Sequence, residues 1–155
     1  MKTSAGLLLY RRRGGAIEFF LVHPGGPYWA GRDEGAWSIP KGEYTDEDPL
    51  AAARREFREE TGSDPPAGPL LELTPVTQRG GKIVRAWAVP GDLDADRIHS
   101  NTFTLEWPPG SGHRQEFQEV DRAAWFETGE ALRRILPSQA GLIREALALA
   151  SRHAG

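Results

Sequence analysis

Cysteine is absent from all 155 residues, which excludes a disulfide framework and any thiolate metal centre. Long apolar runs are also missing. No stretch approaches the ~20 residues needed to cross a bilayer as a helix. The apolar run Ala5–Tyr10 follows Lys2 but is too short for a signal peptide. Arg11, Arg12 and Arg13 close it without a small-residue cleavage site, so it reads as a first strand. Positive charge is not in excess. Nineteen Lys and Arg stand against twenty-two Asp and Glu, a net charge of −3. That balance disfavours broad, backbone-driven nucleic-acid binding, which wants a basic surface. The four histidines, His23, His99, His113 and His153, show no metal-ligand spacing. Internal repeats and low-complexity tracts are lacking too. The expectation is one cytoplasmic domain over residues 1–155, long enough to bury a real core.

What the chain does have is concentrated in residues 42–62. A helix is expected over Leu50–Thr61. Asp48 is a good N-cap, Pro49 falls at the first helical position and Gly62 can take the left-handed conformation past the end. Leu50, Ala53 and Phe57 recur at i, i+3, i+7 and mark the face turned to the core. Glu56, Glu59 and Glu60 stack on one face at i, i+3, i+4. At about 100° per residue they centre roughly a quarter turn from the apolar stripe, at the edge of the buried face. Like charges so placed repel, by about 0.2–0.5 kcal/mol for the Glu56/Glu60 pair. A hard divalent cation with oxygen ligands, Mg²⁺ above all and Mn²⁺ as an alternative, reverses the sign of that interaction. Arg55, four residues before Glu59, can pair with it. A solvated charged helix face is the bland reading of Arg-Glu-x-x-Glu-Glu taken alone.

The surrounding residues favour the metal. Arg55-Glu56-Phe57-Arg58-Glu59-Glu60-Thr61-Gly62 resembles the second half of the Nudix box, the signature of the Nudix hydrolases. The earlier acid of that box falls on Glu47. Two departures stand out: Gly42 lies five residues before Glu47, one fewer than the pattern, and Ser63 replaces a final hydrophobic residue. Upstream, Trp37-Ser38-Ile39-Pro40-Lys41-Gly42 is similar to the Trp-x-x-Pro-Lys-Gly entry of members acting on dinucleoside and inositol polyphosphates. The resemblance implies an α+β fold, the Nudix α/β/α sandwich with a mixed sheet between helices. It implies metal held by Glu56, Glu59 and Glu60 with the Gly42 carbonyl. Arg55 is expected to orient the acids and Glu47 to make a peripheral contact. Lys41 is expected on the polyphosphate oxygens.

Strands are expected at Ala5–Tyr10, Ile17–His23, Leu70–Thr77, Lys82–Val89, Thr102–Trp107 and Ala123–Phe126. Arg12-Arg13-Gly14-Gly15 and Gln78-Arg79-Gly80-Gly81 provide turns. A final helix is expected at about Ser138–Ser151, on the stripe Leu142, Ile143, Ala146, Leu147 and Ala150. A shorter one is expected at Glu127–Ile135. The glycine-rich loop Pro24–Ala36 carries Tyr28 and Trp29, which can stack on a nucleobase or simply pack on the domain. A second loop, Pro108–Glu119, is where Nudix enzymes often draw a further carboxylate. Glu116 is the choice for it, with Glu119 in reserve and Glu106 less favoured as a strand residue. Arg79, Lys82, Arg85 and Arg114 are further candidates for phosphate contacts, although solvated charge explains each. Trp87, Trp107 and Trp125 read as packing residues.

The reaction implied by the resemblance is hydrolysis of a phosphoanhydride in a nucleoside diphosphate linked to another group. The base is Glu59 or Glu116. The partner is a small-molecule nucleotide polyphosphate, with no membrane, and the assembly a monomer or homodimer. The rival function is a noncatalytic Nudix module that binds a nucleotide as a regulator. Keeping three mutually repelling glutamates counts against it. Trimming of RNA 5′ ends is a third reading, disfavoured by the acidic balance.

Overall fold

Alternating apolar residues along two long strands decide the architecture. The computed structural model describes residues 2–152; His153 lies outside them. Strand β1 (Thr3–Arg13) and strand β2 (Ala16–Pro24) form a hairpin, with Tyr10 opposite Phe19 and Arg13 opposite Ala16. Ala5, Leu7 and Leu9 of β1 point to one face with Phe20 and Val22 of β2. Leu8, Tyr10, Phe19 and Leu21 point to the other. Both faces are therefore apolar and both must be covered. Helix α1 (Pro49–Thr61) covers the first face through Ala52, Ala53 and Phe57. Helices α2 (Thr128–Arg134) and α3 (Ala140–Arg152) cover the second, α3 burying Leu142, Ile143, Ala146 and Ala150.

Around this pair the sheet is mixed. Strand β6 (Ile83–Pro90) runs parallel to β1, and strand β9 (Val120–Glu127) pairs antiparallel with β2. Strand β3 (Lys41–Tyr44) pairs with the start of β1, Gly6 opposite Lys41 and Ala5 opposite Gly42. The expected strand Leu70–Thr77 is two short pieces on β6 instead, β4 (Leu71–Glu72) and β5 (Val76–Thr77). Pro75 falls between them and cannot donate to a ladder. The turn after β5 is as expected: Gln78 N–H donates to Lys82 O at 2.6 Å, and Gly80 and Gly81 both have positive φ.

One region expected as loop is paired. Strand β7 (Thr102–Glu106) and strand β8 (Arg114–Gln118) make a separate two-stranded ribbon, with Thr104 opposite Glu116 and Phe103 opposite Phe117. The α/β/α sandwich is otherwise as the sequence led one to expect. Among the described residues no helix is long and apolar enough to cross a membrane.

Candidate active site

Helix α1 begins and ends where its caps require. Asp48 Oδ2 accepts from Ala51 N–H at 3.0 Å and Pro49 opens the first turn. At the other end Gly62 takes φ 76° and its N–H closes on Arg58 O at 2.8 Å. The register fixed by these caps turns Glu56 inward, where it is 8% exposed, and leaves Glu59 and Glu60 half-buried beside it, Glu60 at the cleft wall.

The segment ahead of the helix is stitched across the sheet. Ser38 exchanges two backbone bonds with Val22, at 2.8 and 2.9 Å, and Pro40 O accepts from Leu7 N–H at 3.2 Å. This delivers Lys41 and Gly42 into β3, directly against α1. Lys41 N–H donates to Glu60 Oε1 at 3.1 Å. A Cβ on Gly42 would fall inside the Glu56 carboxylate, so the position must be glycine for the acid to sit there. The loop between Gly42 and Glu47 is short by one residue, yet the glycine still reaches the helix.

Arg55 is threaded through the acids. Its Nε and Nη2 donate to Glu47 at 2.9 and 2.6 Å, and its Nη1 donates to Glu56 at 2.8 Å and to both oxygens of Glu59 at 3.2 Å. One guanidinium thereby fixes three carboxylates. These bonds hold its own pKa above the ordinary value, Glu47 first. The same bonds hold the Glu47 carboxyl below its usual range.

Glu56, Glu60 and Glu119 are shifted the other way. Burial pushes all three carboxyls up, Glu60 to about 8, and the neighbouring acids add to the effect. Glu59 bears on Glu56 and Glu119, and Glu119 on Glu56 and Glu60. Burial conversely pushes the Lys41 ammonium down. Among the described residues no three acidic or imidazole side chains converge tightly enough to ring one ion; Arg55 holds the acids in the arrangement seen. The donors at hand, carboxylate oxygens without sulfur or imidazole, fit a hard divalent cation.

Glu116 is corrected by the structure. It lies on β8, not on a loop, and is exposed. Glu119, held in reserve, stands at the cleft instead. Its N–H donates to Asn101 O at 2.8 Å, and Asn101 N–H in turn donates to Glu59 O at 2.8 Å, so the backbone clips it beside α1. A period-two reading finds the difference: Phe117 packs on Phe103, so Glu116 faces outward, while Glu119, two residues on, shares the parity of Phe117. Glu106 accepts from Gly110 N–H at 2.8 Å in the ribbon's own turn.

The two loop aromatics separate. Trp29 lines a cleft of about 230 Å³ with Lys41, Glu60, Gln78, Glu119 and Leu136. Tyr28 is 59% exposed and meets Trp107 edge-on at 5.2 Å, so Trp107 packs on that loop, outside the core. Of the distal cations, Lys82 pairs with Glu43 at 2.7 Å and Arg85 with Glu72 at 3.5 Å. Arg79 and Arg114 are exposed.

Comparison with known proteins follows the same line. The family model described as NUDIX domain matches residues 1–146. No curated protein matches the chain. Among solved structures, a C. elegans Ap4A hydrolase binary complex is 23% identical over 97% of this chain and 98% of that one, with a TM-score of 0.70. A mutT/nudix family protein from Listeria innocua is 16% identical over 98% and 95%, at 0.63. The NUDIX domain of Shewanella oneidensis NrtR, complexed with ADP ribose, is 15% identical over 96% and 87%, at 0.61. With the box helix, its arginine clamp and a family match over nearly the whole length, the chain belongs to the Nudix family of pyrophosphohydrolases.

Proposed function

We propose that this chain is a Mg²⁺-dependent hydrolase cleaving a phosphoanhydride in a nucleoside diphosphate joined to a second group, dinucleoside polyphosphates foremost. The observation that carries the reading is the gathering of Glu56, Glu59 and Glu60 on α1 with Glu119 beside them, Arg55 bonded to Glu56 and Glu59 and burial pushing the carboxyls of Glu56, Glu60 and Glu119 up. Folding does not gather such a cluster for its own stability, because like charges brought together repel.

Glu56, Glu59 and Glu60 are the residues that would hold the cation, with Gly42 beside them. When bound, Mg²⁺ neutralises charge on the phosphate oxygens and acidifies water. The chain's own residues do the rest. Arg55 keeps Glu56 and Glu59 in register. Lys41 lines the cleft next to Glu60 and draws the polyphosphate in. Glu119 takes the proton of the attacking water. Both oxygens of Glu59 already accept from Arg55, whereas burial, and after it Glu59, push the Glu119 carboxyl up and make it the stronger base. The Ap4A hydrolase fold match and the Trp37–Gly42 entry support dinucleoside polyphosphates as first choice.

The test is a substrate panel with Mg²⁺ and product identification: dinucleoside polyphosphates, nucleotide sugars, ADP-ribose and nucleoside triphosphates. Turnover of a dinucleoside polyphosphate above the others is expected. The second reading, a noncatalytic nucleotide-binding module, draws on the NrtR Nudix domain solved with ADP ribose. Saturable ADP-ribose binding with no product from any compound would favour it.

A further inference from the structure

Beside the acids, the cleft has an apolar wall whose polar group is fixed by a buried relay. Val22, Ile39, Val120, Leu136 and Trp29 line it, and its volume of about 230 Å³ suits one planar base. Gln139 is 0% exposed, in the turn Pro137–Gln139 that precedes α3. Its orientation is not free. Ile39 N–H can only donate, and it donates to Gln139 Oε1 at 3.1 Å. The amide nitrogen of Gln139 is therefore the opposite end. It donates to Ser38 Oγ at 3.1 Å and to Gln78 Oε1 at 3.0 Å. Ser38 Oγ–H is itself committed to Ile39 O at 2.7 Å, so the hydroxyl accepts from Gln139. Every hydrogen-bonding group of Gln139 is used, which locks the relay. Gln78 lines the cleft with its Oε1 turned to Gln139, so its amide nitrogen, which makes no side-chain hydrogen bond among the described residues, is the end free to meet a ligand.

We propose that Gln78 is a specificity-determining residue that reads a hydrogen-bond acceptor, a ring nitrogen or carbonyl oxygen, on the substrate's nucleobase, with Gln139 as the positioning residue that imposes this polarity. The inference rests on the hydrolase reading above. A base suits the apolar side of the cleft, Val22, Ile39, Val120 and Leu136, and leaves the phosphates to the side of Lys41, Glu60 and Glu119.

The test compares kcat/KM for the best nucleotide in the panel with kcat/KM for the methyl polyphosphate of the same chain length, which has no base. In Gln78→Met, which loses the donor without adding charge, the nucleotide-to-methyl ratio is expected to fall ~10–100-fold. Gln139→Met keeps the length of the side chain but removes the amide that holds Gln78 Oε1, so Gln78 can present either end. The preference for bases presenting an acceptor over bases presenting a donor is expected to fall ~10-fold in a variant that still melts cooperatively. An unchanged ratio in Gln78→Met overturns the proposal, as does an unchanged base preference in a folded Gln139→Met. If no compound is turned over, the hydrolase reading has failed separately. The relay is then read from nucleoside monophosphate binding by isothermal titration calorimetry: weaker binding to Gln78→Met supports it, equal binding overturns it.

Discussion

Replacing Glu60 by glutamine is expected to stabilise the metal-free protein at alkaline pH. Glu60 lies at the cleft wall with its carboxyl raised from 4.5 to about 8, mainly by burial. An acid that binds its proton more tightly folded than unfolded contributes stability that is full below the unfolded value. That contribution is lost as pH rises toward the folded one. The metal-free protein therefore weakens between about 4.5 and about 8, with Glu56 and Glu119 acting in the same direction. At about 1.4 kcal/mol per pH unit the interval sets a ceiling of ~5 kcal/mol. Partial exposure of the carboxyl to the cleft brings this to ~2 kcal/mol, or ~4–8 °C in Tm for a chain of this size. Glutamine keeps the oxygen that accepts from Lys41 N–H and removes the titration. Thermal melts in EDTA from pH 5 to 9 should show the two proteins together at pH 5 and the variant ahead at pH 9. Added Mg²⁺ should raise the wild type at pH 9 by mass action and raise the variant far less. Parallel curves in EDTA would refute the reasoning, since burial would then not be penalising the charge.

Arg55→Leu should release Glu47, Glu56 and Glu59 together and lower kcat/KM by ~10–100-fold, and Arg55→Lys should recover little, because one ammonium cannot serve three carboxylates; steady-state kinetics decide both. Glu119→Gln should cut kcat by ~10²–10⁴, while exposed Glu116→Gln should stay within about twofold; the reverse ranking would return the base to β8. Gly42→Ala should displace Glu56, whose carboxylate occupies the space a Cβ needs, and abolish Mg²⁺-induced stabilisation in the melt while leaving far-UV circular dichroism unchanged.

The legible part of this chain was the part where local chemistry and tertiary role agree. Asp48, Pro49 and Gly62 bound α1 because capping is a local matter, and the capped register sets where Glu56, Glu59 and Glu60 point. β1 and β2 are legible because both of their faces are buried. β3 is not: Lys41-Gly42-Glu43-Tyr44 has no apolar alternation. It is a strand only because Gly6 and Gly42 allow it to lie along β1 next to a helix. β8 is likewise invisible to pattern, since Arg114, Gln115, Glu116 and Gln118 are all exposed and only Phe117 packs. Reading that stretch as loop put exposed Glu116 ahead of Glu119, which lines the cleft.

The unreadable elements share a cause, and it bears on function. β3, β8 and the Gln139 turn gain their structure from partners distant in sequence, not from their own composition. Each brings a polar group to a wall that α1 already lines with acids: Lys41 from β3, Glu119 from the end of β8, Gln78 through Gln139. That wall is assembled by long-range hydrogen bonds, such as Ile39 to Gln139, a hundred residues apart. Helix periodicity sets where the box glutamates point, whereas these bonds set the polar groups around them. If Gln78 reads the base as proposed, substitution at Gln78 or Gln139 is expected to change substrate preference with the box helix and its arginine left as they are.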